Sequence, residues 1–274
     1  MKGESFSVQK LISDYLAEEY RRSQREPKDY WRVSDMGHCL RGRYYKRQGA
    51  KPTDPPDERT LRKFQAGNIF HWWLQRQVRY AASEMSGVRV IGMEREVRND
   101  KLHVVGHYDA LVQIGRKKLL YDFKTVHSNA FHYREQNKSL TQKQHAMQLG
   151  LYLMLLHQEH PDLTEARLLY ISKDDLSVAE TKVILTPALK REILRELKIL
   201  NESWEKKKLP PTPPLIVKDS VKNKWVINWQ AQYCPYHDLC MNEPKEVWMK
   251  EAREAAELKN IQLKKRKKVR KSEN

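Results

Sequence analysis

Asp109, Asp122 and Lys124 are the residues of this chain whose types and spacing could do chemistry. The segments 104–114 and 118–126 are both rich in β-branched and aromatic residues, and Gly115-Arg116 between them suits a two-residue hairpin turn. With those two residues as the turn, Ile114 pairs with Lys117, and counting outward sets Asp109 opposite Asp122. Cross-strand partners stand roughly 4.5–5.5 Å apart at Cβ and side chains alternate faces, so Lys124 shares the face of Asp122. Facing carboxylates destabilise a ladder unless positive charge lies between them, and a divalent cation is the natural candidate. Oxygen ligands suit Mg²⁺ or Mn²⁺, which bind phosphate and acidify an attacking water, while Lys124 would orient that water or neutralise developing charge. The residues alone equally allow an exposed hairpin in which Asp122 simply pairs with Lys124.

Two helices must flank such a hairpin. Residues 64–74 carry His71, which lies one turn after Gly67 and could be a third ligand; a satisfied core or surface histidine is the commoner use. Residues 145–156 form a mostly apolar run in which Gln148 and Tyr152, four apart on one face, need a polar reason to be there. A hydrogen-bonded core pair would be reason enough.

Taken together, Gly67-x-x-x-His71, Gly106-x-x-Asp109, Asp122-x-Lys124 and Gln148-x-x-x-Tyr152 resemble, in order and spacing, the PD-(D/E)xK nuclease superfamily and its RecB-like branch. The resemblance implies a metal held by His71, Asp109, Asp122 and the backbone carbonyl of Phe123, with Lys124 catalytic and Gln148 and Tyr152 supporting the site or touching the DNA backbone. The second acid is Asp122 where Glu is more frequent. Ser34-Asp35-Met36-Gly37-His38-Cys39 is similar to the N-terminal cysteine motif of CRISPR-associated RecB-like exonucleases and of AddB nuclease domains, in which an iron–sulfur cluster pins the chain ends together. Their C-terminal motif is Cys-x2-Cys-x5-Cys; here Cys234 and Cys240 supply the last two positions and Ala231 stands at the first. A four-iron cluster normally takes four cysteines. Three readings follow: a cluster completed by another ligand, a zinc site using His237 or His38, or three thiols packed together. A disulfide is the least expected, since no signal peptide is visible and cytosolic thiols stay reduced.

Composition fits a nucleic-acid enzyme. The formal charge of +17 on 274 residues points to a polyanionic partner, and because the final eleven residues carry seven Lys or Arg and one Glu, +11 stays on the rest. Arg41, Arg43 and Arg47, which follow the first cysteine, are the expected DNA contacts. Elsewhere the mixing of aromatics with Lys and Arg, as in Trp72-Trp73-Leu74-Gln75-Arg76, is read mainly as amphipathicity with aromatics inward. The longest apolar run, Leu149 to Leu156, is too short to cross a bilayer, so no membrane partner is expected and the location is cytoplasmic, in a prokaryote or virus by resemblance.

Along the chain, residues 7–24 show helical spacing at Leu11, Tyr15, Leu16 and Tyr20, and Ser34 is a candidate N-cap for a second helix. Strands are expected near 88–91, 167–172 and 181–185. Thr186-Pro187 opens a long helix with a stripe at Leu189, Ile193, Leu197, Leu200 and Trp204. The fold class is α/β: a restriction-endonuclease-like core with a small mixed β-sheet flanked by helices and with both ends packed together. One nuclease domain spans 1–262, with a catalytic core of about 60–205 and a cysteine-bearing cap from 1–50 and 225–262; 263–274 is a basic, disordered tail. The expected function is a metal-dependent deoxyribonuclease, a single-strand-preferring exonuclease acting on free DNA ends in repair, recombination, phage DNA metabolism or spacer acquisition. The alternatives are an auxiliary DNA-binding subunit and an RNA-processing nuclease.

Overall fold

A computed structural model describes residues 7–24, 28–136, 138, 141–219, 222–241, 243 and 245–272. In chain order they form α1 (Val8–Gln24), β1 (Trp31–Arg32), a 3₁₀ turn (Val33–Asp35), α2 (Leu40–Gln48), α3 (Glu58–Glu84), β2 (Val88–Asn99), β3 (Val104–Ile114), β4 (Lys117–Val126), α4 (Ser128–Gln136), α5 (Lys143–Leu156), β5 (Glu165–Ser172), β6 (Val178–Ile184), α6 (Pro187–Glu205), β7 (Ile216–Asp219), β8 (Lys224–Ile227), α7 (Trp229–Gln232), α8 (His237–Met241) and α9 (Lys245–Ser272). Local chemistry sets the ends of the two longest core helices. Asp57 accepts from Thr60 N at 2.8 Å to start α3, and Thr186 accepts from Leu189 N at 3.1 Å, with Pro187 in the first turn of α6.

The main sheet is mixed, in the order β1-β3-β4-β5-β6, with β2 along the other edge of β3. This is the expected mixed α/β core flanked by helices. β3 and β4 form the expected hairpin, with Ile114 opposite Lys117. β4 then runs parallel to β5, and β6 returns antiparallel to β5. One sheet face is sealed by α5 and α6 through Met147, Leu149, Leu151, Ile193, Leu197 and Leu200, and the other by α3, where Leu74 meets Ala110, Val112, Phe123 and Ile171. Among the described residues no helix is long and apolar enough to cross a membrane.

Several expectations are corrected at the chain ends. Ser34 does not cap a helix: burial of Val33 and Met36 closes a 3₁₀ turn instead, and α2 starts only after Cys39. α1 forms where the spacing expects a helix, with Leu16 turned inward against the core while Leu11 and Tyr15 are exposed. α9 carries helical backbone through Ser272 into the stretch expected to be disordered, in keeping with the good helix propensity of Lys and Arg.

The arginines expected on DNA are directed inward. Arg43 is 4% exposed; its Nη1 donates to Glu196 at 3.0 Å, and its Nη2 lies 3.1 Å from Met36 Sδ. Arg47, 6% exposed, donates to the carbonyls of Lys28 and Asp29 and lies over two indoles that meet edge-on, 4.3 Å from the Trp31 centroid and 4.2 Å from that of Trp204. Arg41 donates to Pro210 O at 2.7 Å and reaches Cys240 O and Sγ. A guanidinium can be buried this way because its planar face stacks on aromatics while its edge feeds carbonyls. Lysine offers neither geometry, so Arg47→Lys is expected to lower unfolding free energy by about 1–3 kcal/mol in urea titration. Affinity for nucleic acid should stay unchanged at temperatures where both forms are folded.

Candidate active site

The centre of the site is a three-residue polar knot. Strand alternation on β4 puts Asp122 and Lys124 on the face covered by α5, where Gln148 points down at both. Gln148 Nε2 donates to Asp122 Oδ1 at 2.9 Å, Lys124 Nζ donates to Gln148 Oε1 at 3.0 Å, and Lys124 Nζ lies 2.7 Å from Asp122 Oδ2. Asp122 is 2% exposed, and its Oδ2 makes no hydrogen bond of proper geometry. Burial pushes its carboxyl up to about 6, with Lys124 pulling down and Asp109 pushing up. One turn along α5, Tyr152 Oη donates to His107 O at 2.6 Å and thereby holds β3 against α5. A Cβ on Gly106 would stand 2.7 Å from that hydroxyl, so the close approach requires glycine here.

Asp109 arrives differently from the hairpin count. The β3–β4 ladder ends at Ala110 opposite Tyr121, so Asp109 and Asp122 do not form a ladder pair. β2 occupies the other edge of β3, and β1 takes up the near edge only at Val104 and Val105. Asp109 sits in the resulting gap. Its Oδ2 accepts from Phe123 N at 2.6 Å and lies 3.5 Å from His71 Nδ1. The Phe123 ring is buried against α3 and meets His71 edge-on at 6.2 Å. Burial pulls the His71 imidazole down, but its contact with Asp109 and the charge there outweigh this, and its pKa is raised.

Glu94 completes the group and was missed in the sequence. It follows a β-bulge between Val90 and Gly92, has φ +50°, and accepts a hydrogen bond from Gln75 of α3. Ligand atoms of His71, Glu94 and Asp109 all lie within 4.8 Å of one another. The available signal was Gly92 inside a strand pattern, which marks bulges and close approaches: a Cβ there would stand 2.1 Å from Tyr108 Oη. Carboxylate oxygens with one imidazole, and a buried Asp122 oxygen lacking a hydrogen bond, fit a hard divalent cation.

The cysteines gather elsewhere. Cys39, Cys234 and Cys240 line one cavity of about 10 Å³ with Ala231 and His237, and all three are free thiols. His237 Nδ1 lies 3.2 Å from Cys234 O and Nε2 2.9 Å from Asp238, while the His38 ring packs edge-on against Trp229. Burial pushes the Cys234 thiol up to about 11. Among the described residues, these cysteines are not part of a group whose ligand atoms converge as those of His71, Glu94 and Asp109 do.

A family model described as the PD-(D/E)XK nuclease superfamily matches residues 79–241. Among solved structures, SSO0001 aligns at 20% identity and TM-score 0.47, covering 86% of this chain and 97% of that one. An alkaline exonuclease (LHK-Exo) from Laribacter hongkongensis aligns at 14% identity and TM-score 0.47, covering 69% and 93%. A phage related exonuclease from Haemophilus somnus 129PT aligns at 11% and 0.35, covering 52% and 72%. No curated protein matches the chain. The family match spans more than half of the sequence and includes Asp109, Asp122, Lys124, Gln148 and Tyr152, and the chain therefore belongs to the PD-(D/E)XK superfamily of metal-dependent nucleases.

Proposed function

We propose that this protein hydrolyses phosphodiester bonds of DNA at single-stranded free ends, with His71, Glu94, Asp109, Asp122 and the Phe123 carbonyl holding Mg²⁺ or Mn²⁺. The observation that carries this reading is the Asp122–Lys124–Gln148 knot set beside His71 and Asp109. The cation supplies a Lewis acid for the phosphate and acidity for the attacking water. Gln148, fixed by Asp122, aims the Lys124 ammonium, which orients the water and offsets charge developing on the phosphate. Tyr152 positions β3 through the His107 carbonyl and does not touch substrate. The +11 carried outside the basic tail attracts the strand, and DNA with free ends follows from the family resemblance. An auxiliary DNA-binding role would give a buried lysine–carboxylate–amide knot no use. We read residues 1–262 as one domain, with the cysteine-lined cap as a thiol clasp between the chain ends in place of a cluster, since Ala231 stands where a fourth ligand would be needed.

Labelled single- and double-stranded DNA and RNA with Mg²⁺ or Mn²⁺ test the activity. Wild type is expected to cut single-stranded DNA fastest, and Asp122→Ala and Lys124→Ala are each expected to lose about 10²–10³-fold or more in kcat. Cleavage unchanged by both substitutions would refute the assignment. A cation must displace a proton from His71, whose pKa is raised, and below about pH 6 a second from Asp122, so Mn²⁺ affinity of the metal-free protein, read by calorimetry, should fall about tenfold per pH unit on acidification through the His71 titration and more steeply below about pH 6. Glu94→Gln should weaken that affinity about tenfold without changing the fold. Elemental analysis of anaerobically purified protein should find iron and zinc well below one equivalent; a stoichiometric content of either would sink the clasp reading.

A further inference from the structure

We infer that the outward face of α3 is a stacking track for an unpaired nucleic-acid strand, with Trp72, Arg76 and Tyr80 as its contacts. This rests on the nuclease reading of the adjoining site and adds to it the surface that selects single strands. Trp72 and Tyr80 are 59% and 51% exposed, the first contrary to the inward packing expected for it. Large aromatics left in water on a helix side call for a ligand. Arg76 lies between them, its guanidinium 5.4 Å from the Trp72 centroid and 5.2 Å from that of Tyr80, and it donates to Tyr80 Oη at 2.8 and 3.1 Å. The three residues are four apart, so they form one ridge about 12 Å long at 1.5 Å per residue. Trp72 directly follows His71, which places the start of the ridge at the edge of the candidate metal site.

Charge identifies the occupant. Between Glu58 and Glu84 α3 carries Arg59, Arg62, Lys63, Arg76 and Arg79 and no acid. Flat π-faces held beside a cation suit bases joined by phosphates, and a duplex hides those base faces in its own stack, so the ligand is unpaired. A protein partner docking through the same rings would have no need of a helix whose interior positions carry basic charges alone.

Anisotropy with a labelled oligothymidylate and a blunt duplex of equal length, in EDTA to stop cleavage, tests the track on the full chain. The double variant Trp72→Ala/Tyr80→Ala, with its circular dichroism compared with wild type, should bind the single strand at least about tenfold more weakly and the duplex within about twofold of wild type. Trp72→Phe should retain most of the affinity. Hydrolysis of a minimal diester, thymidine 5′-(p-nitrophenyl phosphate), with Mn²⁺ should be the same in both proteins. Unchanged single-strand affinity, or equal losses on strand and duplex, would overturn the track. Loss of self-association in sedimentation with strand affinity intact would make this face a protein contact and overturn it as well. A wild type that fails to cleave the diester yet shows the binding contrast would remove the nuclease reading and leave the track standing.

Discussion

Burial of the Asp122 carboxylate is the constraint around which the molecule is arranged. A charge 2% exposed is costly unless it is matched, and the chain matches it only in part. Lys124 provides the counter-charge, Gln148 supplies the one hydrogen bond to Oδ1, and Oδ2 is left without one. The balance is poor enough that burial pushes Asp122 up to about 6. Nearby, the contact with Asp109 raises His71. Both shifts have the same meaning: the site favours more positive charge than its side chains carry. In the absence of a cation, protons take that role, and an arriving cation releases them.

The surrounding fold can be traced back to this demand. Gln148 must stand above β4, so α5 is buried across the sheet face, and the small Gly150 lets α6 close on it through Ile193 and Leu189. Asp109 must approach Asp122 without being zipped to it, so β4 leaves β3 after Tyr121 and the freed Phe123 amide becomes a donor to Asp109. Backbone that would have closed the ladder instead orients a ligand. The same parting spares the two carboxylates a direct cross-strand pairing, although Asp109 still pushes the Asp122 carboxyl up.

Much of this was legible in the sequence, and the failures share a cause. The hairpin register, the helix bearing His71 and the helix bearing Gln148 follow from turn chemistry and periodicity, which are local. The splitting of β3 from β4 is not local, because β1 takes the near edge of β3 at Val104 and Val105 while β5 holds the far edge of β4. Glu94 was hidden for a similar reason: a bulge at Gly92 shifts the register of β2, and only the position of Tyr108 across the sheet requires that bulge. Arg43 and Arg47 were assigned to DNA because they follow the first cysteine in a basic, aromatic-rich segment. Their partners Glu196 and Trp204 lie some 150 residues further along the chain, beyond any spacing rule.

The two groupings of aromatics with an arginine are complementary, and α3 shows why. Trp31, Arg47 and Trp204 stack in the interior, where a guanidinium binds the N-terminal segment to α6. Trp72, Arg76 and Tyr80 repeat the same cation-and-ring chemistry in water, where it joins neighbours along one helix and does not tie that helix to another element. A ring–cation–ring stack gains most when desolvated, so the exposed copy on α3 holds unused binding energy whereas the buried copy has already used its own. α3 therefore has two working sides. Leu74, Phe70 and His71 face the sheet and the acids, and the ridge beginning at Trp72 faces solvent. On the proposed reading, a strand gripped along the ridge would be held by the same helix that carries His71, which would fix the register of its bases relative to the phosphate at the acids. Selection of unpaired strands and placement of the scissile bond would then be one property of a single element.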